Sequence, residues 1–367
     1  MTDHQTHAQD CAEILREQHA AGRLDRRTFL AGLGALGLAP ALAGRAKAQT
    51  SELVISNWGG DAVRYFGEAF GGAVKAETGL DLVVDGGGPS MGKIRTMVEA
   101  NNTIWDLCDS GAGDSIELGA LGMLEPIDYS IVPKSGLIEE FAYDYGCPNY
   151  TFGVVLAYDK EFYGDTPPTK MADFWDTENF KGRRMLRRRG LAMLEMALIA
   201  DGVPFDQMYP LDVDRALAKI KPLAKDALFW NNGTESQQLM REGECQMGLM
   251  WHTRANLLNK ETDGRITWTF NEGVLFPGIW VVPKNNPAGA EAAMKAIAAM
   301  QDPEAQIALL GLMGNGPSNP AAAPLIPEAL KHVDPGLAAD RMLKNDGAWW
   351  GANVTAVEEA YSTMIAS

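Results

Sequence analysis

Residues 53–85 decide the fold and read LVISNWGGDAVRYFGEAFGGAVKAETGLDLVVD. The short apolar runs at Leu53–Ser56 and Leu80–Asp85 are typical of buried strands. Between them, the apolar residues of Ala62–Thr78 recur at helical spacing, and Gly79 follows as a helix-ending signal. This stretch therefore predicts a strand, a helix and a second strand in direct succession.

The alternation of strands and helices continues downstream of this stretch. After the Gly-rich turn Gly86–Ser90, we predict a helix at Met91–Ala100 and a further short strand at Ile104–Cys108. A chain that begins with this βαβαβ pattern is predicted to be an α/β protein with mixed, mostly parallel sheets.

Two extended apolar segments, at residues 150–159 and 274–283, interrupt the alternation. Pro277 and Gly278 discourage a helix in the second segment. Both segments are suited to cross between two lobes of the chain. We therefore predict that the lobes close by rotation at the two crossings, near Phe152–Tyr158 and Val274–Pro283.

The two crossings define the predicted domain organisation. Residues 51–153 form the first lobe, and residues 283–345 return to it. Residues 154–282 form the second lobe between the crossings, and residues 346–367 form a C-terminal helix. Each lobe thus holds enough apolar residues for a core of its own.

The first 48 residues have the pattern of an export signal. Arg26-Arg27 precede a weakly apolar run, Ala31–Leu42, and a short Ala-rich stretch, Gly44–Ala48, follows as the cleavage region. The paired arginines resemble a twin-arginine signal, which directs a folded protein across the membrane. We therefore predict that residues 1–48 are a twin-arginine signal peptide and that the protein works in the periplasm. The alternative is a cytosolic chain whose N-terminal helix begins with two arginines.

Composition and charge exclude several classes of function. The chain is 46% hydrophobic and 22% charged, which is typical of a globular protein. Its formal net charge of −16 repels polyanions, so we predict no nucleic-acid partner. Beyond residue 48 the cysteines are Cys108, Cys147 and Cys245, and their spacing alone does not show whether two of them pair.

Several short motifs resemble those of one protein family. They are residues 158–164 (YDKEFYG), residues 167–182, Asn57–Gly60, Trp251, and residues 314–320 (GNGPSNP). In their order along the chain they resemble extracellular solute-binding proteins of ABC importers, in the branch that contains spermidine/putrescine binders. The resemblance implies a type II periplasmic binding protein fold with two lobes, which close over a small solute and deliver it to a permease. It further implies a monomer that is not an enzyme and needs no cofactor or metal.

Ligands of α/β sheets bind beyond the carboxyl ends of the strands, so the residues that follow each predicted strand are candidates for the cleft. Trp58 and Ser90 hold such positions in the first lobe, with Asp114 or Ser115 as weaker candidates. Trp58 as a core residue is the competing interpretation. The Gly-rich turn before Ser90 lacks the Gly-Lys-Ser/Thr ending of a phosphate-binding loop.

The arginines after the predicted strand Arg184–Leu186 indicate the charge of the ligand. The resemblance to polyamine binders implies carboxylates at the positions of Arg188 and Arg189, at Arg254, and at Gly278. Replacing these acids by arginines and a glycine predicts an anionic group on the ligand, because arginine binds a carboxylate with two parallel hydrogen bonds. We predict Arg188, Arg189 and Arg254 in the site. For Arg187 we favour a surface position paired with acidic side chains.

Aromatic residues complete the predicted site. Trp58, Trp230, Trp251 and Trp280 are candidates for an aromatic cage around an ammonium group or a flat ligand, although core packing is the competing interpretation for Trp280. With arginines at one end and tryptophans plus Glu235 at the other, the site suits a small zwitterion such as γ-aminobutyrate.

Three alternatives stay open. A putrescine or spermidine binder is favoured by the family branch and by the negative charge, but the expected acids are missing. A ferric-ion binder would need clustered ligands, and residues 49–367 contain only His252 and His332. An enzyme would need a nucleophile and base, and the chain has no Cys-x-x-Cys or Walker motif.

Overall fold

The structure is a computed structural model that describes residues 51–367. The predicted signal peptide, residues 1–48, lies outside the described residues. In the described part, every helix is too short or too polar to cross a membrane.

Residues 51–367 contain eleven strands: β1 (Glu52–Ser56), β2 (Asp81–Asp85), β3 (Leu107–Ser110), β4 (Leu124–Glu125), β5 (Cys147–Asp159), β6 (Arg184–Arg187), β7 (Leu228–Trp230), β8 (Met247–Trp251), β9 (Ile266–Pro283), β10 (Gly316–Pro317) and β11 (Leu343–Lys344). The same residues form twelve α-helices: α1 (Asp61–Thr78), α2 (Met91–Glu99), α3 (Ala112–Ala120), α4 (Lys160–Tyr163), α5 (Met171–Trp175), α6 (Met193–Ala200), α7 (Val213–Ala224), α8 (Gly233–Arg241), α9 (His252–Glu261), α10 (Ala290–Ala299), α11 (Pro303–Met313) and α12 (Gly347–Ile365).

The strands form one continuous sheet in the order β2-β1-β3-β9-β5-β8-β6-β7, with β10 on β5 and β4 and β11 on β9. At one end β1 pairs in parallel with β2 and β3, and at the other end β6 pairs in parallel with β7 and β8. The central strands β9 and β5 are antiparallel to their main-path neighbours. This architecture confirms the prediction of a mixed α/β fold.

The two predicted crossings are the long central strands β5 and β9. They pair from Cys147 opposite Trp280 to Asp159 opposite Ile266, with irregularities in register near Pro148 and Val155. Thirteen residues of extended chain in β5 span about 44 Å, which is enough to run the length of two α/β halves. Nearly every residue of β5 is buried, in agreement with its continuously apolar sequence.

Two large hydrophobic cores lie on the two parts of the sheet. The first core draws most of its residues from positions 53–150 and 280–313, including Phe66, Phe70 and Trp280. The second core draws its residues from positions 154–276 and from the C-terminal region, where Trp350 and Tyr361 of α12 are fully buried. The predicted C-terminal helix is therefore an integral part of the second core.

Local sequence explains where the elements begin and end. Helix α1 buries Ala62, Phe66, Phe70 and Val74, which recur every four residues and face the sheet. It ends at Gly79, which has a φ of 73° and donates its N–H to the Lys75 carbonyl. The predicted strand at 104–108 is displaced, since β3 occupies Leu107–Ser110.

The three cysteines of the described residues are all buried and free. Burial in apolar surroundings raises the pKa of Cys108, Cys147 and Cys245 above the ordinary thiol value. In this structure none of these three cysteines is paired in a disulfide.

Candidate ligand-binding site

A cavity lies where the carboxyl ends of strands from both halves of the sheet meet. It has about 680 Å³ of space not filled by protein atoms, including its open mouth. Trp58 after β1, Asp109 and Ser110 at the end of β3, Arg187 at the end of β6 and Trp251 at the end of β8 all line it. This position agrees with the strand-end rule for α/β proteins.

Of the sequence-predicted site residues, the structure brings four together in this cavity: Trp58, Arg189, Trp251 and Arg254. The indole rings of Trp58 and Trp251 lie 6.2 Å apart at 57° and form an aromatic wall. Trp251 also contacts Trp230 edge-on, with ring centroids 5.2 Å apart. The weaker candidate Asp114 lines the cavity as well, whereas Ser115 is buried and donates its hydroxyl hydrogen bond to Ala112.

Arg187 is the arginine that the sequence reasoning placed wrongly. Arg187 is only 6% exposed, and it lines the cavity instead of lying on the surface. Its guanidinium carbon lies 4.9 Å from the Trp251 ring centroid and 5.4 Å from that of Trp230. Its Nε has no hydrogen-bond partner among the described residues. Burial and the neighbouring charge of Arg189 lower the pKa of Arg187 to about 9.

Arg254, in the first turn of α9, is 1% exposed. Its Nη2 donates to the Gly59 carbonyl at 2.9 Å, which joins α9 to the loop after β1. Its Nε has no hydrogen-bond partner among the described residues. Gly60 and Gly233 leave room for this side chain, because a Cβ on either residue would press against the guanidinium group. Burial lowers the pKa of Arg254.

Arg189 lies at the edge of the same cavity and is paired with acids. Its Nε lies 3.3 Å from Oε1 of Glu358 on α12, and its Nη2 lies 3.9 Å from Oδ1 of Asp114 on α3. Burial opposes its charge, but Asp114 and Glu358 outweigh this effect and raise the pKa of Arg189. Arg189 therefore ties three elements together, and its charge is largely compensated.

The structure places Arg188 outside the cavity, against the sequence prediction. Arg188 is exposed, and its guanidinium lies 5.6 Å from the ring centroid of Phe229. Because side chains alternate between the two faces of an extended chain, the inward turn of Arg187 carries Arg188 outward.

Ser90 and Glu235 also lie outside the cavity, where each supports a helix start. The Ser90 hydroxyl accepts a hydrogen bond from the Lys93 N–H at the start of α2. The Glu235 carboxylate accepts hydrogen bonds from the backbone and side-chain nitrogens of Asn231, just before α8. Ser90 is therefore the N-cap of α2, and Glu235 stabilises the chain at the start of α8.

Two of the four predicted tryptophans are core residues. Trp280 is fully buried against Phe66 in the first core. Trp230 is fully buried in the second core and donates its Nε1–H to the Leu249 carbonyl at 3.0 Å. Trp230 does not line the cavity itself, but it contacts Arg187 and Trp251, which do.

The sequence reasoning missed a buried acid in the cavity wall. Asp109 ends β3 and accepts hydrogen bonds from the Tyr150 hydroxyl at 2.8 and 2.9 Å and from the Asn149 amide at 3.1 Å. Burial raises the pKa of Asp109 to about 7, although these donors and the charge of Arg254 oppose the shift. The strand-end rule points to this residue once β3 is placed at Leu107–Ser110.

The chain is similar to known solute-binding proteins. A family model of bacterial extracellular solute-binding proteins matches residues 69–339. The gamma-aminobutyric acid-binding protein of Pseudomonas aeruginosa PAO1 is 28% identical over 304 residues, which cover 80% of this chain and 85% of that protein. The solved structure of a GABA receptor is 28% identical, has a TM-score of 0.77, and matches over 86% of this chain and 97% of its own.

Polyamine-binding proteins are more distant. The structure of a spermidine/putrescine ABC transporter substrate-binding protein from Streptococcus pneumoniae is 18% identical, with a TM-score of 0.66, over 86% of this chain and all of its own. That likeness extends to the fold alone, so the expected place in the polyamine branch is replaced by a broader assignment. The chain has the fold of two-lobed periplasmic binding proteins, and it belongs to the bacterial extracellular solute-binding proteins.

Proposed function

We propose that this solute-binding protein captures a small solute that carries a carboxylate and an amine, of the γ-aminobutyrate type, and delivers it to an ABC permease. The observation that carries the proposal is the pair Arg187 and Arg254. Both are buried, both line one cavity, and each keeps an Nε without a protein partner. Unpaired buried guanidinium groups are costly, so a ligand carboxylate is their natural partner.

The aromatic wall of Trp58 and Trp251 suits the short carbon chain of such a ligand. A dissociation constant of about 1 μM corresponds to about −8.2 kcal/mol. One bidentate arginine pair, a few further hydrogen bonds and one aromatic contact are sufficient for this free energy. The γ-aminobutyrate binders among the similar proteins support the same ligand class.

A polyamine is the alternative ligand, favoured by the net charge of −16. It would bring ammonium groups beside Arg187 and Arg254, and leaving like charges together in a buried site costs on the order of several kcal/mol. The carboxylate ligand is therefore preferred.

Calorimetry of the purified protein tests the ligand class. We expect γ-aminobutyrate to bind at one site with an affinity near micromolar, and putrescine and spermidine to give no heat at the same concentrations. Tight binding of putrescine without binding of any carboxylate would contradict the proposal. Unchanged γ-aminobutyrate after prolonged incubation would support a binder that does not catalyse, whereas a product would indicate an enzyme.

The proposal includes the cellular setting of the protein. Residues 1–48 act as a twin-arginine signal, the protein works as a monomer in the periplasm, and the lobes comprise residues 51–153 with 283–345 and residues 154–282. The two hydrophobic cores support this division. Replacing Arg26 and Arg27 by lysine should keep the protein out of the periplasmic fraction, and normal export of this variant would contradict the signal assignment.

A further inference from the structure

Three polar residues in the wall of the cavity have no role in the carboxylate end of the ligand. They are Asp109, Ser110 and Asn315, and they are 2%, 5% and 3% exposed. The Ser110 Oγ and the Asn315 Oδ1 have no hydrogen-bond partner among the described residues. Buried polar atoms are normally paired, so this wall offers acceptors to a group inside the cavity.

Hydrogen bonds fix the Asp109 carboxylate in place, but they do not use all of its acceptor positions. Tyr150 and Asn149 donate to it from β5 and fix its orientation. A carboxylate has about four acceptor positions, and a hydroxyl and one amide N–H occupy only part of them. The remaining positions are available at the cavity surface that Asp109 lines.

No cation of the described residues forms an ion pair with Asp109 within 4.0 Å. Arg254 is the nearest cation that influences it, and the Nη2 of Arg254 is already engaged with the Gly59 carbonyl. A buried carboxylate without a cationic partner is costly. A cationic group on the ligand would supply that partner.

We propose that Asp109, together with Ser110 and Asn315, forms the ammonium subsite of the cavity. A primary ammonium group has three N–H donors and no acceptor, and these three residues offer acceptors to the same cavity. The inference rests on the proposed function for the carboxylate end of the ligand, which Arg187 and Arg254 would hold. It replaces Glu235, whose carboxylate accepts from Asn231 at the start of α8, as the acid of the amine end.

The substitution Asp109→Asn tests the subsite, because it removes the charge and keeps the shape of the side chain. The two probes are γ-aminobutyrate and butyrate, which differ only in the amine. We expect Asp109→Asn to weaken γ-aminobutyrate binding by 30-fold or more and to change butyrate binding by less than threefold. An equal loss for both probes, or no loss for γ-aminobutyrate, would overturn the proposal.

Asp334→Asn is the matched control. Asp334 is a buried aspartate whose pKa burial also raises, and it does not line the cavity. The control should leave the affinities for γ-aminobutyrate and butyrate unchanged. A 30-fold loss for γ-aminobutyrate in the control as well would show that the effect of Asp109→Asn is not local, and would overturn the subsite.

A measurement on the unmodified protein serves if the variant does not fold. At pH 6 a carboxyl group with a pKa of about 7 is mostly protonated, and binding an ammonium group requires its ionised form. Calorimetry in buffers of different ionisation enthalpy should therefore detect release of about 0.9 proton more for γ-aminobutyrate than for butyrate. The same titrations should show γ-aminobutyrate bound at least 30-fold more tightly than butyrate, and equal affinities for the two ligands would overturn the proposal.

If the proposed function is wrong, calorimetry with the probe ligands would give a different pattern of binding. In that case the unmodified protein would ignore γ-aminobutyrate and butyrate but bind butylamine or putrescine. Asp109→Asn should still weaken binding of butylamine by 30-fold or more if the subsite is correct. Unchanged binding of butylamine would overturn the subsite independently of the arginines.

Discussion

The inner and the edge strands of the two parallel groups differ in what their carboxyl ends do. The inner strands β1, β3, β6 and β8 deliver residues to the cavity, including Trp58, Asp109, Arg187 and Trp251. The edge strands β2 and β7 lead to Ser90 and Glu235, which stabilise helix starts outside it. Adjacent strands are about 4.8 Å apart. A cavity for one small molecule therefore reaches the ends of only the two nearest strands on each side of its centre. The end of a strand therefore predicts a cavity-lining residue only when the position of that strand in the sheet is known.

The largest effect is expected at Arg187, at the end of an inner strand. Arg187→Ala should weaken binding of γ-aminobutyrate by about 100-fold or more, roughly 3 kcal/mol, because it removes a buried partner of the carboxylate. Calorimetry measures the loss. Arg188→Ala is the matched control, since it removes the same charge from the adjacent, exposed position and should change the affinity by less than threefold. Equal losses in both variants would erase the distinction between the two arginines.

A somewhat smaller effect is expected at Arg254, which follows the inner strand β8. Arg254→Ala should weaken binding by about 2 kcal/mol or more, since it removes both a carboxylate partner and the hydrogen bond to Gly59. Arg254→Lys should recover little of the loss, because lysine lacks the planar fork of donors. An unchanged affinity in a titration of Arg254→Ala would remove this residue from the site.

His252 lies beside Arg254 but points away from the cavity, and it should affect stability. Its Nδ1 accepts from the Gly153 N–H at 2.9 Å, its Nε2 lies 2.7 Å from the Gly314 carbonyl, and burial lowers the pKa of His252 to about 4. The unfolded state, with an ordinary pKa near 6.5, binds a proton first as the pH falls, so this residue destabilises the fold progressively between about pH 6.5 and 4.

The expected size is about 1.4 kcal/mol for each pH unit in that window. Urea unfolding of the protein and of His252→Gln at pH 7, 6 and 5 measures it as a difference between the two. The raised pKa of Asp109 acts in the opposite direction in both proteins and cancels from this comparison. If the difference in free energy of unfolding between the protein and His252→Gln does not change with pH, the lowered pKa of His252 is contradicted.

The smallest effects on binding are expected after the edge strands. Ser90→Ala and Glu235→Ala should leave the affinity for γ-aminobutyrate within twofold, because neither side chain lines the cavity. Each should lower the free energy of unfolding by about 1 kcal/mol, since a helix-start contact is lost. A tenfold loss of affinity in either variant would contradict the division between inner and edge strands.

Much of the fold was predictable from local patterns. The strand and helix positions at 53–85 agree with β1, α1 and β2, and the two apolar crossings coincide with β5 and β9. These signals are strong because burial on both faces of a strand, or on one face of a helix, leaves a periodic trace in the sequence. The third strand was predicted at Ile104–Cys108, whereas β3 lies at Leu107–Ser110. Asp109 was therefore not recognised as a residue at a strand end.

The site was predictable in its chemistry more than in its residues. The arginines after β6 indicated a guanidinium in the cavity, but the choice within the triplet depended on which residue of a strand end turns inward. Arg187 is buried against Trp230 and Trp251, whereas Arg188 is exposed. Trp280 has the same residue type as Trp58, and only its contacts in the first core separate the two.

The amino-acid sequence by itself determined the alternating elements, the two long apolar segments that form β5 and β9, and the presence of arginines where the strands end. Those properties depend on neighbours within a few residues, and local periodicity records them. The tertiary structure alone decided that β1, β3, β6 and β8 are inner strands, that Arg187 faces the cavity and that Asp109 lies in the same cavity. Strand order and side-chain direction depend on contacts between residues far apart in the chain, such as β3 with β9 and Arg254 with Gly59.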